Sequence, residues 1–498
     1  MTFISTRKGF RATSAESVFQ GLAPDGGLYV PEMGAASRAL PKDLKTLADC
    51  ENFVMAQLFD DLPSAVRNEA TSRLVSRFPA EDPIPLVERD GLRMLELFHG
   101  RTGAFKDVAL SMLPVFMRHA AAGKRVLILT ATSGDTGSAA MQGFAGVEGT
   151  EVAVFYPATG TSRIQRLQMT TPSEPNVHAI GIRGNFDDAQ AAVKRIFADR
   201  AINAEAAAHG ITLSSANSIN TGRLIPQIAY YILAGVKLGG GAFDVVVPSG
   251  NFGNILAAYY AKRLGSPIRR LVVASNVNDV LARFVKTGVY DPGEKFTVTN
   301  SPSMDIRKSS NVERLLWMIS GGLDGDVAGA CAETARMMRD LETKGCYELS
   351  EKAKARLFAD FVGGVATPEE TEAEMRRMRE ACGYLLDPHT AVATAVAKRL
   401  MDAKFCAPRI EPASQLASLG GYSLTSGEDA ASPFLGVVPV VGAATATPYK
   451  FPETCLRAFG SDVLTDPPPS FRDLEKLPIA QTKVCDIDKI DEAVKELF

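Results

Sequence analysis

Three segments of the chain combine residue types that can hold or attack a ligand. In FHGRTGAFKDVAL (98–110), Lys106 stands between glycine- and aromatic-containing turns and an apolar helical stretch. A lysine in apolar surroundings loses affinity for its proton and can serve as nucleophile or base, although one residue of this kind also fits an ordinary surface lysine. In PSGNFGN (248–254), Gly250 and Gly253 directly precede the helical pattern NILAAYYAKRLG. Glycines let the backbone approach a ligand, and free N–H groups at a helix start attract an anion, with phosphate the natural occupant. A plain strand-to-helix turn capped by Asn or Ser satisfies the same letters. In TATSGDTGSAA (130–140), hydroxyls and glycines again sit between a strand and a helix, an arrangement suited to a carboxylate or phosphate as well as to simple capping. It does not match GxGxxG. Gly123-Lys124-Arg125 is no Walker A loop, because Arg118 occupies the first glycine position and no Ser or Thr follows Lys124. The five histidines (His99, His119, His178, His209 and His389) form neither HExxH nor a close pair, and no GxSxG elbow occurs. No metal site is expected.

The elements that must carry these segments follow from periodicity. Apolar runs RVLILTA (125–131), EVAVFYP (151–157), VHAIGI (177–182), FDVVVP (243–248) and RRLVVAS (269–275) alternate with amphipathic stretches. Continuous Val/Ile/Leu runs with intervening helices predict a buried parallel sheet and an α/β fold. Ligands then bind beyond the carboxyl ends of the strands, where two of the three segments lie. Residues 1–85 read as a helical N-terminal region, with KDLKTLADCENFVMAQLF and SAVRNEATSRLVSRF at helical spacing after the turn-rich GLAPDGGLYVPE. Residues 311–402 read as mostly helical, including SEKAKARLFADFV; 413–434 reads as a long surface loop, and LGVVPVVGA (435–443) is a further apolar run.

The chain has 498 residues, 46% hydrophobic and 22% charged, with 42 Gly and 28 Pro dispersed along it. That length exceeds the ~250–300 residues at which single cores stop growing, so two or three domains are expected. Lys+Arg number 54 and Asp+Glu 57, a net charge of −3 without a basic stripe, which argues against nucleic acid as a partner. Seven cysteines without a CxxC pair argue against a disulfide framework. The start MTFISTRKGF lacks an apolar signal core, and no run of ~18 apolar residues predicts a membrane span. A cytoplasmic protein is expected.

GLAPDGGLYVPE, FHGRTGAFKD, ATSGDTGSAA, SSANSIN, PSGNFGN and ATATPYKFPE occur in this order, and together the chain resembles the threonine synthases from about residue 4 to about residue 456. The resemblance implies a two-lobed fold-type II enzyme dependent on pyridoxal 5′-phosphate (PLP), with parallel-rich sheets flanked by helices and the helical N-terminal region in front. The smaller, mobile lobe would span 123–222, and the larger lobe 86–122 and 223–498. Lys106, in the family's F-K-D, would bind PLP covalently and, once displaced by the substrate amine, act as base at Cα. Gly250, Asn251, Phe252, Gly253 and Asn254 match the loop around the cofactor phosphate, and Thr445 the hydroxyl facing the pyridine nitrogen. Ser133, Gly134, Asp135 and Thr136, with Asn217, Ser218 and Asn220, match substrate-binding segments. Arg163 and Arg223 are candidates for a substrate phosphate that the motifs do not fix. The implied reaction eliminates phosphate from O-phospho-L-homoserine and adds water at Cβ to give threonine. A phospholyase releasing 2-oxobutyrate, ammonia and phosphate would share nearly every motif, and a non-catalytic PLP-binding homologue would share the scaffold. Thr447 stands where many relatives have His. A monomer is the preferred state.

Overall fold

The computed structural model describes residues 1–33, 39–406, 438–461 and 463–498. Two parallel sheets organise the chain. The first has six strands in the order Phe361–Val365, Ile268–Ser275, Phe243–Pro248, Val440–Ala444, Leu92–Glu96 and Leu86–Arg89. Every pairing is parallel except the outermost, Leu86–Arg89 with Leu92–Glu96. The second has five strands, all parallel, in the order Val484–Asp486, Val177–Arg183, Thr150–Pro157, Arg125–Ala131 and Ile211–Ser215.

Strand geometry explains the continuous apolar runs. Successive side chains point to opposite faces, so a strand covered on both sides must be apolar throughout. Val245 and Val247 enter one core with Leu271, Val273 and the helix Gly253–Arg263. Val246 enters another with Val272, Met94 and the helix Pro388–Cys406. The second sheet repeats this: Val126, Ile128 and Val154 face the helices shared with the first core, while Leu127, Leu129 and Phe155 face the helix Phe186–Ala198. Each fully buried aliphatic side chain stabilises the fold by about 1.5–3 kcal/mol.

The α/β expectation holds, and three local readings change. The N-terminal region is not only helical: Phe3–Ser5 lies between Arg11–Ala12 and Tyr29–Pro31 in an antiparallel sheet. Strands of two and three residues are too short to leave a period in the sequence. The helical stretch SEKAKARLFADFV stops at Asp360, and Phe361–Val365 becomes the edge strand of the first sheet. Its glycines make this register fit: a Cβ on Gly363 would lie 2.6 Å from the Ala282 carbonyl oxygen, and one on Gly364 would lie 2.4 Å from Val396. The C-terminal segment, expected with the larger lobe, instead adds Val484–Asp486 to the second sheet, and Ile490 and Val494 close that sheet's outer core. The whole of the loop expected at 413–434 and the start of the run at 435 lie outside the described residues; the remainder of that run supplies the strand Val440–Ala444.

Candidate active site

A single cavity opens where the two sheets present their carboxyl edges to each other, and it is lined by all three segments. Lys106 is the first residue of the helix Lys106–Ala120. Its neighbours are tied to the end of the strand Val440–Ala444, with Phe105 N–H donating to the Thr445 carbonyl at 2.9 Å and Thr447 N–H to the Gly103 carbonyl at 2.9 Å. This short antiparallel bridge puts Lys106 and Thr445 on the same cavity wall, 339 positions apart in sequence.

The opposite floor is the loop between Phe243–Pro248 and Gly253–Arg263. Phe252 adopts a left-handed conformation (φ 62°), uncommon for a non-glycine residue and tolerated only where the surroundings dictate it. Those surroundings are polar and specific. The Asn251 carbonyl accepts from Asn311 Nδ2 at 3.0 Å, and the Gly250 carbonyl from Ser309 Oγ at 2.8 Å. Asn311 is held by the buried Arg314 guanidinium, which also donates to the carbonyls of Tyr29 and Ile219. The first N–H groups of the helix Gly253–Arg263 lack intrahelical partners and stand at the cavity, a receptacle for an anion.

From the second sheet, Ser133 and Thr136 line the cavity at the start of the helix Asp135–Phe144. Gly134 (φ 148°) allows the sharp entry, and its Cα packs so closely on Gln165 that a Cβ would sit 2.5 Å from it. Asp135 is the charge centre. Its Oδ2 accepts from Lys106 Nζ at 3.0 Å, and its Oδ1 from Gln165 Nε2 at 2.8 Å and Lys450 Nζ at 3.1 Å. Burial alone would raise the Asp135 carboxyl, but Lys106, Lys450 and His389 hold it well below the ordinary carboxylate range. Lys106 is pushed down from its ordinary value by burial, against the pull of Asp135 and with help from the positive charges of Lys450 and Arg223. The two shifts are compatible because two lysine ammonium groups, Lys106 and Lys450, share one buried carboxylate.

Of the remaining predicted residues, Asn217, Ser218 and Arg223 line the cavity. Burial brings the Arg223 guanidinium down to about 10. Among the described residues no carboxylate pairs with it, and its Nε is buried without a hydrogen-bond partner. Asn220 is fully buried and caps the short helix Thr221–Leu224, its amide donating to the carbonyls of Val18 (2.7 Å) and Ser215 (3.0 Å). Arg163 lies outside the cavity; it is 59% exposed and pairs with Glu475 at 2.9 Å. Thr447 is buried but does not line the cavity.

Two residues that the motifs do not single out belong to this site. His389, from the start of the helix Pro388–Cys406, lines the cavity; its ring contacts Asp387 Oδ1 at 2.9 Å through Nδ1, and Nε2 accepts from Ser303 N–H at 3.1 Å. Lys450 is completely buried behind Asp135. The dipeptide Asp387-Pro388 before His389 marks a helix start, the one local signal that could have drawn attention to it; Lys450 reads locally as part of a turn.

An amine, an anion-receptive helix start, a hydroxyl at a strand end and uncommitted buried donors (Asn254 Nδ2 and Arg223 Nε) fit a phosphorylated aldehyde cofactor. Fold and site define a pyridoxal-phosphate-dependent enzyme, and residues 79–349 match that family as a whole. Residues 2–51 match the threonine synthase N terminus. The chain is 36% identical over 417 residues to threonine synthase from Saccharomyces cerevisiae, covering 78% of this chain and 80% of that one. It is 38% identical over 438 residues to threonine synthase-like 1 from Homo sapiens, covering 80% of this chain and 57% of that one, so it spans little more than half the length of that relative. The crystal structure of PLP-bound threonine synthase from Brucella melitensis superposes with a TM-score of 0.83 at 33% identity, covering 100% of this chain and 99% of that one. The chain belongs to the threonine synthase family, and its cofactor is pyridoxal phosphate.

Proposed function

We propose that this protein converts O-phospho-L-homoserine and water into L-threonine and phosphate, a carbon–oxygen lyase reaction. One observation carries the reading: a single cavity contains a largely buried lysine, an anion-receptive loop at 249–254 and a separate buried guanidinium, Arg223, free of any carboxylate among the described residues. A phosphorylated cofactor and a phosphorylated amino acid need two distinct anion receivers near one amine. Bound there, pyridoxal phosphate supplies an electron sink for a carbanion at the substrate Cα.

The chain's own residues supply the rest. Lys106, held against Asp135 Oδ2, is the residue that links the cofactor and then moves the Cα proton. Gly250, Asn251, Phe252, Gly253 and Asn254 hold the cofactor phosphate, and Thr445 faces its ring nitrogen. Ser133, Gly134, Asp135 and Thr136, with Asn217 and Ser218, bind the substrate's amino-acid end, and Arg223 takes its phosphate. Asn220 supports the segment from behind. The lobes at 123–222 and 86–122 with 223–498, the latter lending its C-terminal strand to the second sheet, close on the substrate to exclude water. A cytoplasmic enzyme fits the six described free cysteines, and a monomer is the preferred state.

The test is product analysis of the PLP-loaded protein with O-phospho-L-homoserine. Threonine and phosphate in equal amounts are expected. Phosphate with 2-oxobutyrate and no threonine would overturn the synthase reading in favour of a phospholyase.

A further inference from the structure

Lys450 is a cation that the reading above does not use. It sits on the turn Pro448–Lys450 of the first-sheet lobe, its side chain is 0% exposed, and it reaches into the second. Its Nζ contacts the Thr102 carbonyl at 2.8 Å, Gln168 Oε1 at 3.0 Å, Ser138 Oγ at 3.4 Å and Asp135 Oδ1 at 3.1 Å. A buried ammonium is costly unless paired, and Asp135 is its ion-pair partner. The same carboxylate, through Oδ2, holds Lys106 at 3.0 Å.

We propose that Lys450 is a positioning residue for Lys106: it keeps Asp135 paired when Lys106 releases its proton to solvent, and thereby makes the neutral amine available at this site. The inference rests on the reading of Lys106 as the cofactor lysine. A protonated amine is no nucleophile. Were Lys106 the only cation on Asp135, its deprotonation would leave a buried carboxylate without a counter-charge, and the carboxylate would hold the proton on Lys106. With Lys450 in place, the same deprotonation leaves a neutral Lys450–Asp135 pair, still bonded by Gln165. The other charged groups around this pair do not replace Lys450. Arg223, on the short helix Thr221–Leu224, faces Lys106 and disfavours its ammonium. His389, from the helix Pro388–Cys406, acts on Asp135. Asp107 lies near Lys450 but is bonded to Thr102 N at 2.8 Å and Thr102 Oγ1 at 2.7 Å.

The experiment is the pH dependence of Lys106 labelling by fluorodinitrobenzene in the full-length, cofactor-stripped protein, read by peptide mass spectrometry. In parallel, the rise in visible absorbance is followed when PLP is returned. Lys450→Met is expected to slow Lys106 labelling about tenfold at neutral pH. Its rates should converge with the parent's at alkaline pH, where the amine is neutral in both. Lys450→Arg should behave as the parent. Asp135→Asn should label faster than the parent, and Asp135→Asn with Lys450→Met should follow Asp135→Asn. A Lys450→Met protein that labels at the parent rate at neutral pH, or is slowed by one factor at every pH, overturns the proposal. If Lys450→Met does not fold, Asp135→Asn decides: labelling no faster than the parent overturns it. Covalent PLP uptake by Lys106→Ala would instead refute the reading of Lys106, an outcome distinguishable because the labelling uses no cofactor.

Discussion

The loops at 249–254 and 133–136 occupy equivalent places, each following an interior strand of its sheet and opening a helix, yet they are held by different physics. The first is fixed through its backbone: its carbonyls accept from Asn311 and Ser309, and Arg314 ties Asn311 to the N-terminal sheet. The second is held through one titratable side chain, Asp135, whose partners Lys106, Lys450 and Gln165 come from three different elements. A loop gripped by neutral amides and a caged guanidinium keeps its shape whatever the site contains. A loop gripped by exchangeable ion pairs responds to the charge state of the site. The difference suits a loop that retains a cofactor and one that must accept and release substrate.

That contrast can be broken at several points. Lys106 is where the two loops meet, and Lys106→Ala should lower activity by about 10²–10⁴-fold or more, with loss of covalent PLP in the absorbance spectrum. Covalent uptake in this variant would detach both loops from the chemistry assigned to them. Arg314→Met removes the support of the first loop, together with the bonds to Tyr29 and Ile219, and leaves the partners of Asp135 in place. Loss of charged hydrogen bonds should cost about 3 kcal/mol, seen as a lower melting temperature and faster PLP dissociation, both insensitive to salt. A strong salt dependence would place both loops in the same class.

Gly134→Ala sharpens the other side. With φ at 148° and a Cβ 2.5 Å from Gln165, the added methyl should displace the Asp135 loop. We expect a rise in KM of about tenfold, from ~1–2 kcal/mol of backbone strain, with PLP affinity unchanged; a matching loss of PLP would show that the loops are not independent.

The smallest effect belongs to a control remote from both loops. Glu51 is fully buried and neither carboxylate oxygen has a partner, so burial pushes its pKa well above the ordinary 4.5. A raised folded value means that its stabilising contribution is complete below the ordinary value and lost as pH rises towards the folded one. Glu51→Gln, which copies the protonated acid, should therefore match the parent in acid and exceed it by about 1–2 kcal/mol at mildly alkaline pH. Thermal melts at the two pH values check the sign, and equal melting temperatures at both would refute the unpaired, buried state.

Much of this architecture is legible in the residue order alone. The runs FDVVVP and RVLILTA announce strands covered on both faces, because only such strands need be apolar at every position. The glycine and hydroxyl segments after them fall where a parallel sheet offers a crevice, and Lys106, Gly250 and Asp135 can be named from ordered motifs. FVGGV cannot be read as a strand, since its two glycines match no propensity and make sense only against Ala282 and Val396. The strand Val484–Asp486 lies about 300 residues from its partner Val177–Arg183, a pairing that no local pattern encodes.

The sequence by itself determined which residues carry reactive groups and which segments become strand, turn and helix start, because those properties depend on side-chain chemistry and near neighbours. The tertiary structure decided which groups share a charge environment. His389 reaches the cavity and Lys450 reaches Asp135, each from a separate element, Arg163 turns away to Glu475, and Arg223 stays buried without a counter-ion among the described residues. Electrostatic energy depends on distance and burial in three dimensions, and neither quantity is written along the chain.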